Sequence, residues 1–116
     1  MSITKLYNLD YLEELSSGDK EFEMEMIRYF IENSPQVLDH MDVLNSHQDW
    51  AMFREVIHKY TPNMNLIGVS TLIDTANKLE LHAETKTHLD EIPGMLSRIR
   101  EDVIKAIEQL KTDFQL

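Results

Sequence analysis

The chain has 116 residues, and its 21 acidic and 11 basic side chains give a formal net charge of −10. This excess of carboxylates argues against binding DNA or RNA, because nucleic-acid binding depends on lysines and arginines that neutralise phosphates. The absence of cysteine excludes disulfides, zinc-thiolate sites and thiol catalysis. No segment resembles a signal peptide or approaches the roughly 20 apolar residues of a membrane span, so we expect a cytoplasmic protein without membrane association.

The composition favours an all-α fold, because only three glycines and three prolines interrupt stretches rich in Leu, Glu, Lys and Met. The length suits one hydrophobic core, so residues 1–116 are expected to form a single domain. A start at Met1 and an end after a long last helix favour a free-standing protein. We expect a monomer, because the net charge discourages self-association.

The hydrophobic periodicity predicts six helices. The first is short, with Asn8 or Asp10 as its N-cap and Gly18 beyond its end, and Asp19 caps the second. In chain order the predicted helices cover residues 9–15, 19–33, 35–46, 49–67, a segment that begins at 70 or 71 and continues beyond 79, and 92–114. Four long helices with short accessory N-terminal ones predict an antiparallel four-helix bundle.

Two prolines affect these boundaries. Ser34-Pro35 is expected to end one helix and begin the next, because serine is a good N-cap and proline is tolerated at the first helical position. Pro62 cannot donate a hydrogen bond to the carbonyl of His58, four residues back, and we expect a kinked but continuous helix there. The boundary between the last two helices is expected within residues 84–91.

His58 stands apart from the apolar stripe of its helix. On a helical wheel it falls about 140° from the core direction, so it is expected to face solvent. A neutral imidazole in that position is a competent nucleophile near physiological pH. A polar residue on a polar helix face also needs no functional explanation. The stripe itself consists of Phe53, Val56, Ile57, Tyr60, Met64 and Ile67.

Residues 49–80 read DWAMFREVIHKYTPNMNLIGVSTLIDTANKLE, and the upstream segment reads LEELSSGDKEFEMEMIRYFIENSP. Together they resemble the histidine-containing phosphotransfer (HPt) domain family, which has an apolar helix, a His-Lys-Leu-Lys-Gly motif and a glycine ten residues past the histidine. His58, Lys59 and Gly68 match this pattern directly. The resemblance extends over nearly the whole chain and includes the Gly-Asp turn between the first two helices.

The resemblance implies a four-helix bundle in which His58 is the phosphoacceptor of a two-component phosphorelay. Its partners would be receiver domains of response regulators or hybrid histidine kinases, and the magnesium ion would belong to the receiver. No cofactor and no autonomous catalytic activity are expected, which agrees with the lack of a recognisable nucleotide-binding motif.

Two positions depart from the family pattern. Thr61 stands where the family commonly has a second lysine, and Pro62 where it commonly has glycine, so a cation near the phosphoryl group is missing. Arg54, one turn before His58, could replace that charge, with Lys59 reaching from the side. Equally, both could simply solvate the helix. The candidate binding residues are Arg54, Lys59, Thr61, Asn65 and Gly68.

Two other functions remain open. The chain could be a helical docking module that binds a receiver or kinase domain but has lost phosphotransfer, with Thr61 and Pro62 as traces of the loss. It could also be a carboxylate-metal bundle, but that design needs two Glu-x-x-His motifs and only Glu55 to His58 forms one, so no metal is expected. The wide apolar arc from Met24 to Tyr29 is the candidate docking surface.

Overall fold

A computed structural model describes residues 5–116, and all the regular elements in this range are helical. The all-α prediction is therefore confirmed. None of the helices in the described range is both long and apolar enough to cross a membrane. The elements are α1 (Asp10–Ser16), α2 (Lys20–Ser46), α3 (Trp50–Ile67), α4 (Ile73–Thr85) and α5 (Ile92–Phe114), with 3₁₀ turns at Ser70–Leu72 and Leu89–Glu91.

The starts of α2 and α3 follow the predicted capping residues, whereas α1 has Leu9 as its N-cap, without a side-chain cap hydrogen bond, and not Asn8 or Asp10. Asp19 Oδ1 accepts a hydrogen bond from the Phe22 N–H at 3.1 Å at the start of α2. Asp49 Oδ1 accepts one from the Met52 N–H at 3.2 Å at the start of α3. Each cap satisfies one of the N–H groups that a helix leaves unpaired at its N-terminus. Gly68 ends α3 with a left-handed φ of +72°, as predicted.

The predicted break at Ser34-Pro35 is wrong, because α2 continues through both residues to Ser46. Ser34 is fully buried, and its Oγ accepts a hydrogen bond from the Tyr60 hydroxyl at 2.7 Å instead of capping a helix. Pro35 is exposed, so the hydrogen bond that it removes lies on the solvent side. Burial of Phe30 and Leu38 on either side of this point stabilises the uninterrupted helix.

By contrast, α3 does continue through Pro62, as predicted. It packs against α1, α2 and α4, while α5 packs against α2 and α4. Trp50, the half-buried first residue of α3, makes an edge-to-face contact with Phe53, with ring centroids 5.8 Å apart. Val56 is only partly buried, so the predicted core stripe is one residue narrower than expected. The stripe residues that are fully buried are Phe53, Ile57, Tyr60, Met64 and Ile67.

The segment before α1 closes the carboxyl end of α3. The Asn8 N–H donates to the Ile67 carbonyl at 3.1 Å, and the Asn8 side chain accepts from the Asp10 N–H at 2.9 Å. A Cβ on Gly68 would lie 2.7 Å from the Asn8 carbonyl carbon, closer than side chains tolerate. Glycine at 68 is thus required both by the left-handed turn and by this close approach.

Candidate functional site

His58 lies in the middle of α3 with its side chain 69% exposed, as its place on the helical wheel predicts. One ring nitrogen is not free. Nδ1 lies 2.7 Å from Glu80 Oε1, a carboxylate on α4 whose side chain is only 20% exposed. The histidine that the sequence singles out is therefore fixed in orientation by a residue of the neighbouring helix.

This contact selects the reactive nitrogen. An ionised carboxylate can only accept hydrogen bonds, so a neutral His58 places its proton on Nδ1 and donates it to Glu80. The lone pair then lies on Nε2, for which no partner is found among residues 5–116. The arrangement presents a nucleophilic nitrogen on an exposed helix face. The largely buried carboxylate of Glu80 lies on the opposite side of the ring.

The packing of α3 against α4 sets the position of Glu80. Ala76, Leu79 and Ala83 are buried on the inner side of α4, and Ile57 is buried on α3. These α4 residues lie on the inner side of the helix, which packs against α3. Glu80 follows Leu79 directly, so it lies at the edge of this interface and reaches His58 without being fully desolvated.

A second, looser pairing between α3 and α4 lies one turn away. Arg54 Nε is 3.8 Å from Glu84 Oε2, with side-chain exposures of 42% and 54%. The Nε atom is buried and has no hydrogen-bond partner among the described residues. Arg54 and His58 are four residues apart on α3, and Glu84 and Glu80 are four apart on α4, in the order of two antiparallel helices.

Thr61 is engaged with its own helix. Its hydroxyl donates to the Ile57 carbonyl at 2.8 Å, a common way for threonine to satisfy itself inside a helix. Because a hydroxyl has a single proton, Thr61 cannot donate to a group on His58 while this bond is kept. The position that carries a second lysine in the HPt pattern thus offers neither a charge nor a free donor.

The other candidate residues lie apart from this cluster. Lys59 lines a groove on the α2 side of α3, together with Tyr29 and Asn33. Asn65 lines a shallow depression with Tyr11 and Pro62. Gly68 lies ten residues beyond His58, about 15 Å along the helix axis, where it packs against Asn8. Of the candidates named from sequence, His58 and Arg54 are the two whose side chains face carboxylates of α4 in the described chain, Glu80 and Glu84 respectively.

The sequence reasoning missed Glu80 and Glu84, which complete the cluster. Their spacing of four residues places them on one face of α4, but nothing in the sequence indicates that this face meets His58. It also missed a contact between α4 and the turn before α5. There, Glu91 Oε2 lies 3.6 Å from His82 Nε2 and 3.3 Å from His88 Nδ1.

A carboxylate-metal site has no ligand set in the described part of the chain. Within residues 5–116, no group of three or more histidine and acidic side chains is placed to hold a metal ion. Glu55, the acidic member of the single Glu-x-x-His motif, is exposed on α3.

Comparisons with protein-family models, with curated proteins and with solved structures found no match to this chain. The resemblance to the HPt family therefore depends on the residues quoted from the sequence.

Proposed function

We propose that this protein is a histidine phosphotransfer protein that relays a phosphoryl group between receiver-domain aspartates in a two-component phosphorelay. The observation that carries the proposal is the contact between His58 Nδ1 and Glu80 at 2.7 Å on an exposed helix face. It supplies what a phosphocarrier needs, namely an accessible imidazole with a defined nucleophilic nitrogen.

In the proposed step, the Nε2 lone pair attacks the phosphorus of an aspartyl phosphate on the receiver. The bond from phosphorus to the aspartate oxygen breaks, the receiver carboxylate is regenerated, and a bond from Nε2 to phosphorus forms. The reverse reaction loads a second receiver. Because phosphoryl transfer passes through a loose transition state, positioning and charge contribute more than a general base.

Glu80 has a role in both directions. Attack through Nε2 makes the ring cationic while Nδ1 keeps its proton, and the carboxylate stabilises this cation by a charge-assisted hydrogen bond. The same proton makes the imidazole a good leaving group when the phosphoryl group departs. The carboxylate therefore orients the ring and balances its charge but does not take the proton. The buried acid of a catalytic triad acts in the same way.

The proposal includes the architecture that the resemblance implies, an antiparallel four-helix bundle of α2 to α5. It is supported by the contacts of α3 with α2 and α4 and of α5 with the same two helices. The proposed partners are cytoplasmic receiver domains. On α2, the exposed Tyr29 and the half-exposed Phe22 provide an apolar surface of the kind that protein partners cover.

The test is to incubate the protein with a panel of phosphorylated receivers and to follow acid-labile, base-stable label on this chain. Label is expected on the wild type and on His40→Gln, which removes an exposed histidine of α2. No label is expected on His58→Gln. Label that persists in His58→Gln, or that never appears with any receiver, would contradict the proposal.

One observation favours a second candidate, the docking module without phosphotransfer. Thr61 brings no charge, and its hydroxyl is bonded to Ile57, so a stabilising group found in the family pattern is missing. The same panel separates the two functions. A receiver that binds this chain in a pull-down or by calorimetry, yet never labels it, would support the docking module.

A further inference from the structure

We infer that Arg54 is the cation that binds the phosphoryl group on His58, and that Glu84 holds Arg54 beside the site and competes for it. This inference rests on the proposed function, because it concerns His58 in its phosphorylated form. In this inference Glu84, which lies on a different helix from His58, regulates the lifetime of phosphohistidine.

Two basic side chains of α3 are candidates for the cation of the site. The two basic side chains near His58 on α3 are Arg54 and Lys59, and they lie on different sides of the helix. Lys59 lines the groove toward α2, whereas Arg54 lines a surface pocket with Glu84 of α4. Since His58 also turns toward α4, where it contacts Glu80, Arg54 shares its side. Residues four apart on a helix have Cβ atoms about 5–6 Å apart, within reach of an arginine side chain.

Arg54 is held only loosely by Glu84. Its closest approach to Glu84 is 3.8 Å, longer than a hydrogen bond, and its buried Nε has no hydrogen-bond partner within the described chain. Exposed ion pairs of this kind contribute little to stability. Arg54 is therefore kept near His58 by an interaction that a stronger anion can displace.

The phosphoryl group on His58 and the Glu84 carboxylate are two anions that can bind Arg54. A phosphoryl group carries about two negative charges and presents three oxygens, and the planar guanidinium fork can bind two of them at once. On phosphorylation, Arg54 exchanges Glu84 for the phosphoryl oxygens. Glu84, left without its partner, then competes to recover Arg54, so it shortens the lifetime of phosphohistidine and favours transfer to the next receiver.

This exchange also accounts for the departure at Thr61. A lysine at that position would lie on the same helix face as His58 and remain available at all times. Arg54 offers a comparable charge from the helical turn before His58, whereas Thr61 lies in the turn after it. Whether Arg54 is free to bind the phosphoryl group depends on Glu84. The stability of the phosphorylated state is thus adjustable through a carboxylate that does not touch His58.

The experiment uses the full chain and loads His58 chemically with potassium phosphoramidate, so that no receiver is needed. In that reaction the P–N bond of phosphoramidate breaks, ammonia leaves, and a bond from phosphorus to Nε2 forms. Phosphohistidine is identified by ³¹P NMR, with His58→Gln as the blank. Its hydrolysis half-life is then compared between the wild type and the variants Arg54→Met, Arg54→Lys, Glu84→Gln and Lys59→Met.

Arg54→Met is expected to shorten the half-life about two- to fivefold, the effect of one largely exposed charge pair. Arg54→Lys should restore part of it, because the charge is kept and the fork is lost. Glu84→Gln should lengthen the half-life by a similar factor, and Lys59→Met should match the wild type. Thermal unfolding of each variant by circular dichroism shows whether a change in half-life reflects lost structure.

Three results would overturn the inference: an unchanged half-life in folded Arg54→Met, a loss in Lys59→Met instead, or no loading of His58 by phosphoramidate. These outcomes are distinct from failure of the proposed function. If receivers never transfer to His58 but the chemically loaded protein shows the Arg54 and Glu84 effects, the anion site stands and the relay role falls.

Discussion

The Nδ1 atom of His58 on α3 lies 2.7 Å from Oε1 of Glu80 on α4, so the tautomer of the candidate phosphoacceptor is set by a different helix. The tautomer of the imidazole thus depends on the packing of two helices. Any change that separates α3 from α4 should alter the chemistry of His58 even if its exposure is unchanged.

Replacing Glu80 by glutamine tests this dependence. The amide oxygen can still accept from Nδ1, but it brings no charge to the cationic ring. Because a hydrogen bond to a charged group contributes about 1–1.5 kcal/mol more than a neutral one, phosphoryl transfer should slow about 5- to 15-fold. The measurement is the rate of label transfer from a receiver, with Glu55→Gln, an exposed carboxylate on α3, as the matched control for charge.

The tautomer can be read without any partner. ¹⁵N NMR spectra of the wild type, recorded at a pH at which the His58 ring is neutral, should show its proton on Nδ1. Glu80→Ala should give a mixture of the two tautomers, because the carboxylate acceptor is gone. A wild-type ring protonated on Nε2 would contradict the assignment of the nucleophile.

Gly68→Ala should be strongly destabilising, because the new methyl group meets the backbone of Asn8 and the residue keeps a φ of +72°. We expect a loss of about 2–4 kcal/mol in the free energy of unfolding by urea. Gly18→Ala is the matched control, since Gly18 has a φ of +90° but no atom within 4 Å of a Cβ. It should cost about 1–2 kcal/mol from backbone strain alone. Equal losses in the two variants would show that the contact with Asn8 has no energetic weight.

The buried pair of Tyr60 and Ser34 should behave as a coupled unit. Burial raises the pKa of Tyr60 to about 12, so its hydroxyl stays protonated and donates to Ser34 Oγ at 2.7 Å. Ser34→Ala should cost about 1–3 kcal/mol, because it leaves the tyrosine hydroxyl buried without a partner. The double variant Tyr60→Phe, Ser34→Ala should cost less than the sum of the single changes, as measured by a double-mutant cycle in urea. Additive losses would mean that the hydrogen bond does not couple α2 to α3.

Glu23 should make the turn between α1 and α2 sensitive to acid. A hydrogen bond from Ser16 at 2.7 Å, opposed by burial and assisted by Lys20, holds the pKa of this carboxyl below its ordinary value of 4.5. A lowered folded-state pKa contributes stability that is present above pH 4.5 and is lost as the pH falls through the folded value. The difference in urea midpoint between the wild type and Glu23→Gln should therefore be largest above pH 4.5 and shrink below it. Glu25→Gln, an exposed carboxylate on the same helix, is the control, and a difference that grows on acidification would contradict this sign.

Local signals in the sequence were sufficient for most helix ends. Asp19 and Asp49 cap α2 and α3 as predicted, because an N-cap acts on N–H groups two or three residues away. Ser34-Pro35 has the same local appearance, yet no helix begins there. The Ser34 hydroxyl is instead bonded to Tyr60, 26 residues away, and Phe30 and Leu38 are buried on either side, so tertiary packing overrides a capping preference that depends only on neighbouring residues.

The candidate site was predictable in part for the same reason. The exposure of His58 follows from the helical period of a single element. Its contact with Glu80 depends on the register between two helices, and the sequence sets no such register in a recognisable motif. Lys59 was grouped with His58 by the family motif and Asn65 by its place on the exposed helix face. The structure separates them, because Lys59 lines a groove with α2 and Asn65 lines a depression with Tyr11 of α1.

Trp50 is the one tryptophan of the chain, and it shares a surface pocket with Arg54 and Glu84. Its indole emission is therefore an intrinsic optical reporter located one helical turn from the guanidinium that we assign to phosphoryl binding. Rearrangement of that ion pair, or separation of α3 from α4, should change the fluorescence of the unlabelled protein. Phosphorylation and dephosphorylation of His58 could then be followed in real time by stopped flow.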